Sequence, residues 1–355
     1  MPIPYEQYTV HTSDGFALSL FRSRAALHSV TSATPRRPPV LLIPGFSSNR
    51  YTFGVRRAHS LANALNATHR DVWICELRGS QSSRWLGKGR APIDIDAKLL
   101  VDLPAMLDHI QDATDAPQID LIGHSLGGLL ALLAAGGDES DRVGRIVTLA
   151  TPGTFKGIVG AFESSGPLFR GLAKGVENLA GHLGGFALAG LARTRGPVPH
   201  LFAFQRHFLP GACDASVRRL YLDHAIESVH GGELAQLTRW VREGIISDRA
   251  GRSLEHQLTA VRHPTLVISA TRDKVSPEAN AFAAYAKIQS SDKHFRLVGR
   301  DHGARRDYAH ADLLLADSAR LDVHEPIADW LDARDRLVTQ TPPSRVGSLP
   351  EAAAR

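Results

Sequence analysis

The chain has 355 residues, of which 43% are hydrophobic and 22% charged, and its formal net charge is +5. This composition is typical of a globular protein, and the length suits one large α/β domain with an insertion. Arginine is spread along the chain instead of clustering, so we predict no nucleic-acid partner. No apolar run is long enough to be a transmembrane segment.

The first residues, 1–6, carry neither the basic stretch nor the apolar stretch of a secretory signal peptide. The two cysteines, Cys75 and Cys213, are too few for a disulfide framework. We therefore expect a reducing, cytoplasmic location, with Cys75 packed inside an apolar strand. The oligomeric state is left open.

Apolar strands alternate with helical patterns along most of the chain. We predict a hairpin of two strands over 4–10 and 15–22, further strands at 40–43, 72–75, 118–122, 143–149, 265–268 and 294–298, and helices at 51–66, 94–113, 129–135, 279–287 and 318–334. Such alternation is typical of βαβ units. It predicts the α/β fold class, with a doubly wound and mostly parallel sheet.

The alternation breaks between residues 153 and 262, where glycines are frequent and only short helical patterns occur. We predict that 153–262 is a helical cap, or lid, inserted after the sixth strand. The α/β core would then comprise residues 1–152 and 263–336. Residues 337–355, rich in proline and alanine near the end, are predicted to be a disordered tail.

The motif Gly-His-Ser-Leu-Gly-Gly at 123–128 lies between a predicted strand and a predicted helix. In that context G-x-S-x-G is typical of a nucleophile elbow, which presents a serine hydroxyl at a sharp strand-to-helix corner. Ser125 is therefore the candidate nucleophile. The alternative is an ordinary glycine-rich turn of a doubly wound sheet, which would bind a phosphate at the helix N-terminus.

Other polar residues follow the later strands, and reactive groups gather at the carboxyl ends of parallel strands. Asp273 follows the strand at 265–268, and both His302 and His310 follow the last strand. The order Ser, Asp, His is the one expected for a hydrolase triad. A turn aspartate before Pro277 is the alternative role for Asp273. Position alone does not separate the two histidines.

Several motifs resemble those of the α/β-hydrolase superfamily, nearest its esterase and lipase-like branch. They are residues 40–46 with 49–52, 73–79, 123–128 and 307–314, the last followed by 327–331. The resemblance implies that the histidine of Tyr308-Ala309-His310-Ala311-Asp312 is the catalytic one, so His310 is favoured and His302 is the alternative base. It also implies that the backbone N–H groups of Phe46 and Leu126 form the oxyanion hole.

Two positions depart from the family pattern. Pro44-Gly45 stands where relatives often have His-Gly, but the backbone donor of Phe46 is unaffected by this change. Gln81 stands where similar proteins usually carry a glycine, so the sequence leaves the conformation of the 78–83 loop open.

These residues predict a serine hydrolase that cleaves carboxylic esters through an acyl-enzyme, acting on an apolar or acyl-chain substrate. Phe46, Leu126 and apolar stretches of the insertion at 158–162 and 186–189 either line an acyl pocket or pack the cap on the sheet. An acyltransferase or a thioesterase would use the same triad, and an idle ligand-binding scaffold is the third hypothesis. The chemistry needs no cofactor, and no spacing of metal ligands stands out.

Overall fold

The computed structural model describes residues 5–23, 37–156 and 207–340, and its centre is a nine-stranded sheet. The strands are β1 (Glu6–His11), β2 (Phe16–Ser23), β3 (Val40–Ile43), β4 (Gly54–Arg56), β5 (His59–Ser60), β6 (Val72–Glu76), β7 (Arg84–Trp85), β8 (Ile119–His124), β9 (Val143–Leu149), β10 (Thr265–Ala270) and β11 (Lys293–Val298). The main sheet has the order β1-β2-β6-β3-β8-β9-β10-β11, with β7 beside β2, and β4 and β5 form a separate pair.

The six strands from β6 to β11 across the sheet are parallel, and β1 and β2 form an antiparallel edge. Every residue of β3, β6, β8 and β10 is buried. Strands covered on both faces read as short continuous apolar runs, which is why the sequence reveals them. The predicted α/β class with a mostly parallel sheet is confirmed.

Helices cover both faces of this sheet. They are α1 (Leu61–Ala67), α2 (Ile95–Ala97), α3 (Leu103–Thr114), α4 (Leu126–Ala135), α5 (Ala215–His224), α6 (Gly231–Glu243), α7 (Glu255–Ala260), α8 (Glu278–Lys287), α9 (Asp312–Leu315) and α10 (Glu325–Gln340). Single 3-10 turns lie at Arg50–Phe53, Ser140–Arg142 and Arg300–His302. Two apolar clusters, one containing Leu121 and the other Ile122, fill the spaces between the sheet and the helices. These neighbouring residues belong to different clusters because side chains alternate between the faces of a strand.

The helix predicted over 51–66 is wrong for its first ten residues. A 3-10 turn and the short strands β4 and β5 occupy that stretch, and α1 begins only at Leu61. Two polar side chains set these boundaries, since Asn49 caps the 3-10 turn and Ser60 Oγ accepts the Asn63 N–H at 3.1 Å. Such capping competes with helix continuation.

Two of the predicted helices contain a π-helical turn, at Lys98–Asp102 before α3 and at Arg320–His324 before α10. Each turn is followed two residues later by a proline, Pro104 or Pro326. A proline has no N–H for the carbonyl four residues earlier, so the regular ladder is interrupted there. The last helix continues to Gln340, four residues into the segment predicted as a tail, and 341–355 lie outside the described residues.

The described part of the predicted cap, residues 207–262, contributes α5, α6 and α7 and no strand to the main sheet. The rest of the interval, residues 157–206, lies outside the described residues, and so do the apolar stretches 158–162 and 186–189. The boundaries of the cap therefore stay a prediction.

A buried network of ion pairs joins β8 to the last helix. Asp120 of β8 is fully buried and pairs with Arg145 at 2.6 Å, and Arg145 reaches Asp335 of α10 at 2.6 Å. The fully buried Arg70 meets Asp335 and Asp332 at 2.5 and 2.8 Å. Paired in this way, the buried charges avoid the large cost of an isolated ion in the interior.

Candidate active site

Ser125 directly follows β8 and stands at the sharp corner before α4. Its backbone has φ 55° and ψ −120°, outside the regions that a residue with a Cβ ordinarily adopts. The Ser125 N–H donates to the Leu149 carbonyl at the end of β9 at 2.8 Å, which secures this conformation. The side chain is partly exposed, so the strained corner presents the hydroxyl at the carboxyl edge of the sheet.

The corner depends on residues without side chains. A Cβ at Gly123 would lie 2.3 Å from the backbone of Gly127 and Gly128, and a Cβ at Gly127 would lie 2.1 Å from the Ile43 carbonyl oxygen. Strand, helix and the neighbouring loop after β3 therefore approach one another at backbone distance. The two glycines of G-x-S-x-G have this packing role here.

Asp273 lies in the turn after β10, and both of its carboxylate oxygens are engaged. Oδ1 accepts the backbone N–H groups of Val275 and Ser276 at 2.7 and 2.8 Å. Oδ2 lies 2.8 Å from Nδ1 of His310. Because a carboxylate only accepts, this contact places a proton on Nδ1 and leaves Nε2 of the imidazole available as a base.

The two candidate histidines differ in their surroundings. His310 is 2% exposed and contacts Asp273. His302 is exposed on the 3-10 turn after β11. The structure therefore brings His310, and not His302, to the carboxylate that the sequence singles out.

Two more imidazoles surround His310. The His124 ring lies 4.6 Å from it, centroid to centroid, and His124 Nε2 is 3.2 Å from the His310 carbonyl oxygen. The His207 ring meets His310 edge-on at 5.4 Å, and the His207 carbonyl accepts the Ala311 N–H at 2.9 Å. Burial, with smaller contributions from His310 and His207, holds the pKa of His124 well below its ordinary value. His124 is therefore neutral at pH 7.

His207 is the residue of this cluster that the sequence did not suggest. It lies in the predicted cap, far along the chain from the motifs, and the chain has 17 histidines. Without a strand or a motif beside it, no sequence signal distinguishes His207 from the others.

The loop of residues 45–49, after β3, lies against the serine. A Cβ added to Gly45 would be 3.2 Å from the Ser125 Cβ. Within the described residues, no acceptor is recorded for the backbone N–H of Phe46 or of Leu126 at the start of α4. Within the part of the chain that the structure describes, both donors are therefore without an acceptor, and the α4 N-terminus adds its positive dipole end.

A recess opens beside this loop, and its walls are mixed in character. Three leucines, Leu77, Leu126 and Leu130, supply apolar surface. The ion pair of Lys98 with Glu233 supplies polar surface, and so do four serines: Ser47, Ser48, Ser80 and Ser228. The sequence leaves open whether Leu126 lines an acyl pocket or packs the cap on the sheet; the described walls of this recess, which include Leu126, combine apolar surface with buried charge.

Within residues 5–23, 37–156 and 207–340, no cluster of three or more histidine, cysteine or acidic side chains is arranged to hold a metal ion. Over the same ranges, no helix has both the length and the apolar character needed to cross a bilayer.

A family model described as the alpha/beta hydrolase fold matches residues 38–304, three quarters of the chain. The chain belongs to the α/β-hydrolase family. The matched region contains Ser125 and Asp273 and ends before His310.

Curated relatives of this α/β hydrolase include sterol esterase 2 of Saccharomyces cerevisiae, 27% identical over 132 residues, which are 35% of this chain and 24% of that protein. Lipase member K of Homo sapiens is 30% identical over 139 residues, which are 37% of this chain and 34% of the lipase. The α/β hydrolase described here thus spans about a quarter and about a third of these two relatives.

Solved structures share the fold over nearly the whole chain. A monoacylglycerol lipase of Paleococcus ferrophilus superposes with a TM-score of 0.55 at 16% identity, covering 88% of this chain and 98% of that one. The enol-lactonase of Burkholderia xenovorans gives 0.54 at 15% identity, covering 95% and 100%. At these identities the likeness concerns the fold alone.

Proposed function

We propose that this α/β hydrolase cleaves carboxylic esters through an acyl-enzyme formed on Ser125. The observation that carries the proposal is the contact of His310 with Asp273 at the sheet edge where Ser125 occupies its strained corner. A buried carboxylate that holds Nδ1–H orients the imidazole and stabilises the cation that forms when Nε2 takes a proton.

The reaction proceeds in two halves. Ser125 Oγ attacks the ester carbonyl carbon as its proton passes to His310 Nε2, and the imidazolium then protonates the departing alkoxide as the C–O bond breaks. Water attacks the acyl-enzyme with His310 again as base. Collapse of the second tetrahedral intermediate returns the proton to Ser125 and releases the acid.

The negative charge on the carbonyl oxygen is held by the N–H groups of Phe46 and Leu126. Their lack of acceptors within the described chain supports this role, because preorganised donors stabilise an oxyanion without reorganisation. Each such donor contributes roughly a hundred- to thousandfold in rate.

We propose lipid esters as the substrate class. Relatives named as a sterol esterase and as lipases support it, and the leucines of the recess beside Leu126 supply apolar surface for an acyl chain. The cap predicted over 153–262 would cover this end of the sheet.

A graded series of p-nitrophenyl esters, run on the wild type and on Ser125→Ala, tests the proposal. We expect turnover to fall at least a thousandfold in Ser125→Ala, while Ser140→Ala, a serine on a distant 3-10 turn, keeps wild-type rates. A fluorophosphonate probe with peptide mapping should label Ser125. Label on any other residue would refute the assignment. Product analysis with a competing alcohol separates hydrolysis from acyl transfer.

A further inference from the structure

The 45–49 loop is held from outside the α/β core by a segment that follows α5. Ser48 forms an antiparallel bridge with Ile226, and the Glu227 N–H donates to the Ser47 carbonyl at 2.9 Å. The Ser47 hydroxyl in turn donates to the Glu227 carbonyl. The segment 226–228 is therefore paired, backbone to backbone, with the loop that carries the Phe46 N–H.

The Glu227 side chain adds a second connection, because its two carboxylate oxygens bind different loops. Oε1 accepts from Asn49 Nδ2 at 2.8 Å, at the end of the 45–49 loop. Oε2 accepts the backbone N–H of Gln81 at 3.2 Å. One carboxylate thus joins the 45–49 loop to the 78–83 loop.

Asn49 is the residue through which this connection reaches the loop. Its Nδ2 also donates to the His224 carbonyl at 2.7 Å, and its Oδ1 accepts the Tyr51 N–H at 3.1 Å. Asn49 is 4% exposed, so its side chain has little freedom apart from these contacts. Both ends of the amide are used, one toward Glu227 and one toward the following 3-10 turn.

Glu227 is itself buried, at 4% exposure, and lies near a second buried acid, Glu76. Burial and the Glu76 charge raise the pKa of the Glu227 carboxyl, whereas the hydrogen bonds from Asn49 and Gln81 act in the opposite direction. Glu76 is paired with Arg50 at 2.6 Å. An acid placed here is costly for folding, which favours a role beyond packing.

We propose that Glu227 is a positioning residue that fixes the 45–49 loop, and with it the direction of the Phe46 N–H. In this role it acts through the loop and not on the reacting atoms. The inference rests on the proposed function, in which Phe46 donates to the oxyanion. It goes beyond that function by giving the segment after α5 a part in the rate of the chemical step.

The backbone explains why the loop needs holding. Ser47, next to Phe46, has φ 51°, a left-handed conformation that is unfavourable for a residue with a Cβ. Removing the Glu227 carboxylate lets the loop relax and turns the donor away from the oxyanion. An interaction made only in the transition state then weakens, so kcat falls while KM changes little.

The test compares Glu227→Ala, Glu227→Gln and the control Glu243→Gln, which removes an exposed carboxylate on α6. With a p-nitrophenyl ester we expect kcat to fall roughly 10- to 100-fold in Glu227→Ala, with KM within threefold. Glu227→Gln keeps an acceptor for Asn49 but loses the one for Gln81, so its kcat should fall less. Glu243→Gln should match the wild type.

Hydrogen exchange of the peptide covering 45–50 gives a readout that does not depend on catalysis. We expect faster exchange there in Glu227→Ala, partial recovery in Glu227→Gln and no change in Glu243→Gln. Should Glu227→Ala fail to fold, the isosteric Glu227→Gln carries the comparison by itself.

A folded Glu227→Ala or Glu227→Gln protein with wild-type kcat and unchanged exchange over 45–50 overturns the inference. A rise in KM of roughly 10- to 100-fold with unchanged kcat would also overturn the inference, because it would mean that Glu227 contacts the substrate. Failure of the proposed function is recognised separately, because Ser125→Ala would then retain activity whatever the Glu227 variants do.

Discussion

His310 Nδ1 lies 2.8 Å from Asp273 Oδ2, and the other oxygen of that carboxylate is bound by two backbone N–H groups. The two backbone hydrogen bonds hold the carboxylate in place independently of His310. The carboxylate in turn selects the imidazole tautomer that carries its proton on Nδ1. The arrangement therefore predicts a specific effect when Asp273 is replaced by asparagine, its isosteric amide.

In Asp273→Asn the amide nitrogen would face His310, so the ring would carry its proton on Nε2 and lose the basic nitrogen that we propose for the activation of Ser125. We expect kcat to fall roughly a thousand- to ten-thousandfold with an unchanged melting temperature. Asp301→Asn, an exposed carboxylate beside His302, is the matched control. Retention of more than a tenth of wild-type kcat in Asp273→Asn would contradict this role.

The two histidines that follow β11 should separate cleanly in kinetics. His310→Ala removes the base and is expected to abolish ester turnover, while His302→Ala, on an exposed turn, should keep it within twofold. Steady-state rates on one nitrophenyl ester suffice for the comparison. The opposite ranking would transfer the catalytic role to His302.

Strand ends were the most informative part of the sequence. The G-x-S-x-G motif between a strand and a helix makes Ser125 a candidate, and Asp273 is a candidate because it follows a continuous apolar run, the form in which fully buried parallel strands are visible. His310 needed the family motif, because two histidines follow the same strand. His207 and Glu227 reach their places through tertiary contacts across about 100 and 180 residues of chain, which no local pattern encodes.

Errors in the predicted helices have local causes. Residues 51–60 have helix-compatible composition, but capping by Asn49 and Ser60 outweighs that weak propensity. The π-helical turns lie just before Pro104 and Pro326. Packing decides how a helix adjusts when it continues past a proline, so the sequence alone does not predict such a turn.

Backbone contact at the serine corner predicts a contrast between two glycine substitutions. A Cβ at position 127 would lie 2.1 and 2.4 Å from the carbonyl oxygens of Ile43 and Pro44, so Gly127→Ala must displace the chain leading to Phe46. We expect it to lower the free energy of unfolding by more than about 3 kcal/mol and to remove activity.

Gly303→Ala is the comparison for this change. A Cβ there meets open space, and only its φ of 81° is unfavourable, so we expect a loss of about 1 to 2 kcal/mol with activity kept. Urea denaturation measures both variants. Equal stability losses would show that the corner can shift without cost.

Asp312, two residues after His310, predicts a pH-dependent stability. Burial raises the pKa of its carboxyl to about 6, against the backbone N–H groups of Leu209 and Ala309 that it accepts. The folded state therefore binds a proton that the unfolded state releases near pH 4. The stability this proton contributes is present below pH 4 and is lost as the pH rises through about 6.

Asp312→Asn removes this titration. As the pH rises from 4.5 to 7.5, the wild type should lose about 2 kcal/mol in free energy of unfolding that the variant keeps. Urea unfolding of both proteins at the two pH values measures it. A difference between them that does not change with pH would contradict the assignment.

The buried ion pairs of Asp120 have a consequence for how the chain can be shortened. Asp332 and Asp335 neutralise Arg70 and Arg145 at one end of the strand whose other end presents Ser125. Trimming the C-terminus before residue 332 would remove the Asp332 and Asp335 partners and leave Asp120 alone to face both buried guanidinium groups. The final helix is accordingly as much a part of the scaffold beneath Ser125 as the strands, and any deletion or fusion there should begin beyond it.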